Sequence, residues 1–524
     1  MMDLRPASPV TGTCSGLLYQ GNDWNFEILR DCYDAVADIA ERELGLTTYP
    51  NRLEIITSEQ MLDVYTAHGM PLGYRHWSLG KRFIAHENAY RRGMMGLAYE
   101  VVINSDPCIS YLMEENSATM QTLVIAHAAF GHNHFFHNNR LFREWTNASE
   151  ILDYLEFARG YIHQCEERHG IAAVERILDA AHALQGQGVH RHSGSRRLDL
   201  RAEQQRAQAR RLHEEATFND LWRTVPVDEE QQPDTTLNDP MRRRLGLPEE
   251  NLLYFLEKHA PLLAPWEREV IRIVRMIAQY FYPQPQLKMM NEGCATWVHD
   301  YIMRRLHENG RIDDASYLEA IHSTSNVITQ PDFDAGGGPS FNPYALGFAM
   351  MGDIARICTS PTAEDRAWFP EIAGNDRPIE TLKHAWAEFR DESFILQYLS
   401  PAVMRRFRMF RIHDDTAAPY LLVDAIHDDA GYRDIRRTVA QNHDPANMNA
   451  EIEITGANMH TDRMLTLEHR TTRGHQFHAD DARRTLQYMA DLWGYGVQLL
   501  ERDADDGTVL ATYEATGRGG VRRG

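Results

Sequence analysis

The spacing of apolar residues changes character once along this chain, near residue 400, and that change bounds the fold. Before it, apolar positions recur every three to four residues in stretches such as "DWNFEILRDCYDAVADIAERELGL" (23–46) and "NLLYFLEKHAPLLAPWEREVIRIVRMIAQYFYP" (251–283). This is the period of helices with one buried face. Beyond it, "RMFRIHD", "YLLVDAIHD", "AEIEITG", "MLTLEHR", "GVQLLERD" and "VLATYEA" read as strands, interrupted by the helical "GYRDIRRTVAQ" and "ADDARRTLQYMADLWG". The expected architecture is a mainly α N-terminal domain with short strands over 23–400, then a smaller α+β domain over 401–515 in β-β-α-β-β-α-β-β order. Residues 1–22 and 516–524 are expected to be disordered. The polar Arg- and Gln-rich stretch at about 190–245 is expected to be a mobile insert.

Within the first domain, Asp23 is a candidate N-cap for the opening helix. Short strands are expected at "NRLEII" and "AYEVVIN". A long helix is expected from about Ile109 through residue 139, bent near Gly131. Another is expected to open at Asn147/Ser149 and close on Gly170.

A chain of 524 residues is too long for one ordinary core. Its net charge of -21 disfavours nucleic acid or anionic membrane as general partners. No run approaches eighteen apolar residues, so no membrane span is expected. The first residues lack a secretory signal pattern, and the six cysteines are scattered without a CxxC pair. Both point to reduced thiols and a cytoplasmic location.

The chemistry concentrates in "IAHAAFGHNHFFHNN" (125–139), with His127, His132, His134 and His137. On a straight α-helix, His127 and His132 would point about 140° apart. They converge only if the backbone changes course, and Gly131 is the residue that best permits it. "MNEGCATWVHD" supplies Glu292 and His299, seven apart and so two turns apart on nearly one face. A divalent metal (zinc, iron or manganese) held by His127, His132, Glu292 and His299 is one reading, with Glu115, Glu114 or Glu100 as general base. His134 and His182 are expected beside the ligands rather than on the ion. A buried hydrogen-bond network and chance clustering among 25 histidines are the other readings.

"DPCISYLMEEN", "TLVIAHAAFGHNHFFHNN", "MNEGCATWVHDYIM", "FNPYALG" and "DESFILQYLSP" together resemble the SpoVR family (stage V sporulation protein R-like) over nearly the whole chain. The family pattern A-H-x-x-x-G-H-x-x-F-F falls on Ala126, His127, Gly131, His132, Phe135 and Phe136. The pattern N-E-G-W-A-x-x-x-H falls on Asn291, Glu292, Gly293, Ala295 and His299, which places Asn291 beside the ligands. Cys294 stands where the family usually has Trp, and His134 where Asp is common. The resemblance implies a link to spore cortex formation or stationary-phase stress physiology. It also implies partners, a PrkA-type serine protein kinase and a YeaH-type von Willebrand-domain protein. Two functions follow as expectations, with substrate unknown: a metal-dependent, peptidase-like hydrolase, or a non-enzymatic regulatory scaffold acting with those partners.

Overall fold

The computed structural model describes residues 16–66, 100–191, 247–330, 341–413, 427–445, 449–471 and 476–517. Short pieces at 2–3, 74, 201, 204–206, 208–209, 245, 419 and 422–425 complete it. The disorder expected for most of 1–15, for most of 190–245 and for 518–524 lies outside the described residues. Within 16–22, however, Leu18 and Tyr19 are buried and belong to a hydrophobic core. The predominance of helix and the β-β-α-β-β-α-β-β order after residue 400 are as the apolar periods require. Among the described residues no helix is long and apolar enough to cross a membrane.

The chain divides into two compact units. One comprises Met1–Pro71, Trp77–Ser149 and Pro283–Met448, the other Leu72–His76, Glu150–Tyr282 and Asn449–Gly524. This division crosses the compositional boundary near 400. The six strands after it form two sheets: a two-stranded hairpin in the first unit and a four-stranded sheet in the second.

In the first unit, α1 (Phe26–Asp38) is capped by Asn25, whose Oδ1 accepts from the amides of Glu27 and Ile28 at 2.9 Å. Asn25, not Asp23, therefore starts the helix. Its buried face is Leu29, Cys32, Tyr33, Val36 and Ala37, the i, i+3, i+4 pattern of one apolar stripe. A four-stranded sheet has the order β1 (Met2–Asp3), β2 (Asn51–Ile56), β4 (Cys108–Met113), β3 (Glu100–Ile103). β2 and β4 run parallel and the other pairs antiparallel. "CISYLM", expected to open a helix, is strand β4, because its β-branched and aromatic residues fill a strand buried on both faces. The helix starts instead at α2 (Ala118–Val124), where Ser117 Oγ accepts from the Met120 amide at 3.1 Å.

Four more helices frame the site: α3 (Lys288–Glu308), α4 (Asp314–Val327), α5 (Pro343–Thr359) and α6 (Asp391–Tyr398). α3 and α5 cross at two glycines. A Cβ on Gly293 would lie 2.6 Å from the Gly347 backbone, so no larger residue permits that approach. The hairpin is β5 (Arg411–His413) with β6 (Leu422–Ala425).

In the second unit, β7 (Ile452–Ala457), β8 (Leu465–Thr471), β9 (Val497–Asp503) and β10 (Val509–Ala515) form the sheet, in the order β10-β9-β8-β7. Its core joins Trp493, Leu465 and Val497 to Ile271, Val274 and Phe255 of the helices Pro265–Phe281 and Leu252–His259. The helix Ile151–His169 closes on Gly170 at φ +85°, as the sequence predicts. It opens without the expected side-chain cap: Ser149 Oγ turns to Asn147 Oδ1 at 2.8 Å.

Candidate metal centre

The histidine segment Ile125–His132 is a π-helix, continuous with α2 before it and helix Asn133–Asn138 after it. Its i→i+5 hydrogen bonding sets residues five apart one turn apart. His127 and His132 therefore share a face, with ring centroids 4.6 Å apart. The change of course expected at Gly131 is thus spread over a whole wide turn. Gly131 itself serves packing, because a Cβ there would lie 2.6 Å from Ala295 Cα.

Helix α3 meets this turn at four-residue steps. Asn291 reaches His132, Ala295 covers Gly131, and His299 reaches His127, so the two segments run antiparallel. His132 Nδ1 lies 3.0 Å from Asn291 Oδ1, and an amide oxygen only accepts, so His132 donates from Nδ1. His127 Nδ1 lies 2.8 Å from His299 Nδ1, and His299 Nε2 lies 2.9 Å from Thr324 Oγ1 on α4. With its Nδ1 engaged, each of His127 and His132 presents Nε2 to a carboxylate. His127 Nε2 is 3.5 Å from Glu100 Oε1 at the start of β3, and His132 Nε2 is 3.5 Å from Glu292 Oε2.

One ligand atom each from Glu100, His127 and His132 fit within 4.8 Å of one another, so these three can hold a metal ion. With ligand bonds of about 2.0–2.2 Å, tetrahedral ligand atoms stand roughly 3.3–3.5 Å apart. The His127–Glu100 separation matches that spacing, and both His–Glu separations are too long for strong charge-assisted hydrogen bonds. Glu292 Oε2 is buried and has no hydrogen-bond partner among the described residues, a costly state for a carboxylate oxygen unless something else engages it.

Burial sets the protonation states. It lowers His127 well below the usual histidine range, helped by neighbouring His132 and His299. His299 falls to about 3 by burial and then the His132 charge. Both rings are therefore neutral near pH 7, the form a ligand needs. Glu100 moves the other way, up to about 8, by burial and then the Glu292 charge.

The remaining expected residues sit elsewhere. His299 is not placed to bind an ion, since both of its ring nitrogens are spent on His127 and Thr324. Glu114 and Glu115 are exposed in the turn after β4, and Glu115 Oε1 accepts from the Ser58 amide at 3.3 Å. They do not join the cluster, which removes them as the general base. Glu100 does join it, on the ligand side. His134 is buried but turned away: its Nδ1 lies 2.9 Å from the Thr47 carbonyl, and burial lowers it to about 4. His137 is half-buried, edge-on to Tyr49. His182 belongs to the second unit, hydrogen-bonded to Tyr74. Cys294 is wholly buried and its thiol is pushed far up by burial, so it is neither a thiolate nor exposed to oxidants.

Two contributors went unnoticed in the sequence. Thr324 lies in "HSTSNV" with no spacing signal tying it to His299. Asp391 opens "DESFILQYLSP", and its carboxylate accepts from the amides of Met289 and Met290 at 2.8 and 2.9 Å. It thereby anchors the N-terminus of α3, the helix that carries Asn291, Glu292 and His299.

Comparison with known proteins places this site within a family. A family model described as SpoVR like protein matches residues 23–448, and one described as SpoVR-like C-terminal domain matches 450–504. The uncharacterized protein YcgB of Escherichia coli (strain K12) is 49% identical over 493 residues, covering 94% of this chain and 95% of its own length. No solved structure matches.

Proposed function

The chain belongs to the SpoVR family, and from the site it carries we propose that it is a divalent-metal hydrolase. Its ligands are His127 Nε2, His132 Nε2 and Glu100, and its general base is Glu292. One observation carries this reading. The Nδ1 atoms of both histidines are engaged inside the protein, while their Nε2 atoms face half-buried carboxylates at 3.5 Å. A hydrogen-bond network serving stability alone would close on itself, whereas this one leaves Glu292 Oε2 without a hydrogen-bond partner among the described residues.

A His2Glu set without thiolate is the ligand class of catalytic zinc in thermolysin-type peptidases, and iron or manganese also accept it. The bound ion supplies a Lewis acid for a carbonyl or phosphoryl oxygen and lowers the pKa of coordinated water. Glu292, whose Oε2 lies beside His132 and has no hydrogen-bond partner among the described residues, accepts the proton of the attacking water. Asn291 and His299 hold the two imidazoles in orientation. The family's association with cortex formation supports a peptide-containing wall precursor as substrate. The kinase-type and von Willebrand-type partners implied by the family belong to the same proposal, tested by co-purification from cell extract.

The deciding experiment is metal content in untagged protein after reconstitution with zinc, iron(II) and manganese. Wild type and Glu292→Gln are expected to retain about one ion per chain, and His127→Ala and Glu100→Gln to lose it. Wild-type protein that takes up none of the three ends the proposal. Uptake that survives His127→Ala shows that the ion sits elsewhere.

A further inference from the structure

We propose that Thr324 is a positioning residue for this centre, acting through His299 to support the tautomer of His127 that leaves Nε2 free to ligate. The inference rests on the reading of Glu100, His127 and His132 as metal ligands. Its basis is a chain of three buried groups from three elements: Thr324 Oγ1 to His299 Nε2 at 2.9 Å, then His299 Nδ1 to His127 Nδ1 at 2.8 Å. His127 lies on the π-turn, His299 on α3 and Thr324 on α4.

A neutral imidazole carries one N–H and one lone pair. For His127 to coordinate through Nε2, its proton must sit on Nδ1, facing His299 Nδ1 at 2.8 Å, with the Ala295 backbone as a further hydrogen-bond partner of the ring. His299 then carries its own proton on Nε2, and that N–H needs an acceptor. Thr324 Oγ1 is the acceptor within reach. A hydroxyl is also a donor, so the same contacts run in the opposite direction. Thr324 then donates to His299 Nε2, His299 Nδ1–H donates to His127, and His127 presents an N–H to Glu100 in place of a lone pair. The chain supports a ligating and a non-ligating tautomer of His127 with no movement of heavy atoms, and an ion selects the first.

His132 differs. Its partner, Asn291 Oδ1, can only accept, so its Nε2 lone pair is fixed in advance. One ligand is thus preset and the other is set on binding. Removing the Thr324 hydroxyl leaves the ligating tautomer with a buried N–H on His299 that has no acceptor, and that unmet donor opposes metal uptake.

The test is affinity for cobalt(II) and zinc(II), read by chelator competition on the full chain, in wild type, Thr324→Val, Thr324→Ala and Thr324→Ser. Both hydroxyl-removing variants are expected to bind about 10- to 100-fold more weakly, still at one ion per chain, with Thr324→Ser within about threefold of wild type. Thermal unfolding of the metal-free proteins separates this from a packing effect, because serine restores affinity while leaving the methyl cavity. If Thr324→Val does not fold, Thr324→Ala carries the comparison. Equal affinity in wild type and a folded hydroxyl-removing variant overturns the positioning role and leaves the metal site standing. A wild type that binds neither ion overturns the metal reading and this inference with it.

Discussion

His127 and His132 stand five residues apart in the chain, yet their rings meet edge to face with centroids 4.6 Å apart. The π-turn that joins them depends on Gly131 lying against Ala295, where an added Cβ would approach the Ala295 backbone to 2.6 Å. Backbone cannot yield as a flexible side chain can, so Gly131→Ala must displace either the turn or α3. The expected cost is about 1–3 kcal/mol, in the range of overpacked cores. It is measured by urea denaturation of the metal-free protein. Metal affinity should fall as well, because the displacement separates His132 from Asn291. A variant as stable as wild type, with unchanged affinity, would show that the turn does not need this contact.

Asp391 gives a second handle on α3, the helix that carries Asn291, Glu292 and His299. Its carboxylate is fully buried and accepts from two amides at the start of α3. Burial outweighs those hydrogen bonds and, with the Glu292 charge, raises the group to about 7. Asp391→Ala leaves two buried amides unmet, an expected loss on the order of 2–4 kcal/mol. Asp391→Asn, which keeps an acceptor oxygen, should lose less. Equal denaturation midpoints for the alanine variant and wild type would remove Asp391 as the anchor.

How far the sequence revealed this arrangement depended on whether the information was local. The apolar periods gave α1, β3 and the succession of strands and helices along the chain after residue 400, because each follows from a pattern within one short segment. Strand β4 read as helix, since a strand buried on both faces lacks the alternation that marks a half-buried one. His127, His132, Glu292 and Glu100 were all visible as chemistry. Which carboxylate faces which histidine was not, because β3 and α3 meet the π-turn only through tertiary packing. Glu114 and Glu115 looked equivalent to Glu100 by residue type; the end of β4 leaves them exposed. Thr324 was invisible, because a threonine in a helix carries no mark of its partner.

The second unit holds an ionic cluster whose energetics can be tested without reference to any metal. Glu257 is buried, with Lys258 Nζ at 2.8 Å, Arg275 Nη2 at 3.1 Å and Arg272 Nη1 at 3.3 Å. Burial alone would raise its carboxyl, but Arg275, Arg272 and Lys258 together pull it down to about 2. A group lowered on folding stabilises the protein above its unfolded value and loses that contribution as pH falls toward the folded one. Glu257→Ala leaves the buried Arg275 without this partner, an expected cost of about 3–5 kcal/mol at pH 7. The difference from wild type should shrink between pH 4.5 and 2. A difference that stays constant over that range would mean that packing, not charge, accounts for the loss.

Glu100 ties metal binding to pH. Burial, and then the Glu292 charge, raises its carboxyl to about 8, so near neutrality the metal-free protein holds a proton there. An ion takes carboxylate, not carboxylic acid, so binding must displace that proton. His127 and His299, both lowered, are already neutral at that pH and release none. Affinity should therefore rise about tenfold per pH unit up to about 8 and level off above it. Calorimetry in buffers of different ionisation enthalpy should register about one proton released per ion at pH 7. The stability of the metal-free protein should show the opposite trend. The folded state keeps a proton that the unfolded state has already lost, so stability declines as pH rises from the ordinary carboxylate range through about 8. Glu100→Gln should flatten that decline and abolish uptake together. Metal binding that is independent of pH from 6 to 9, with no proton released, would remove Glu100 from the ligand set.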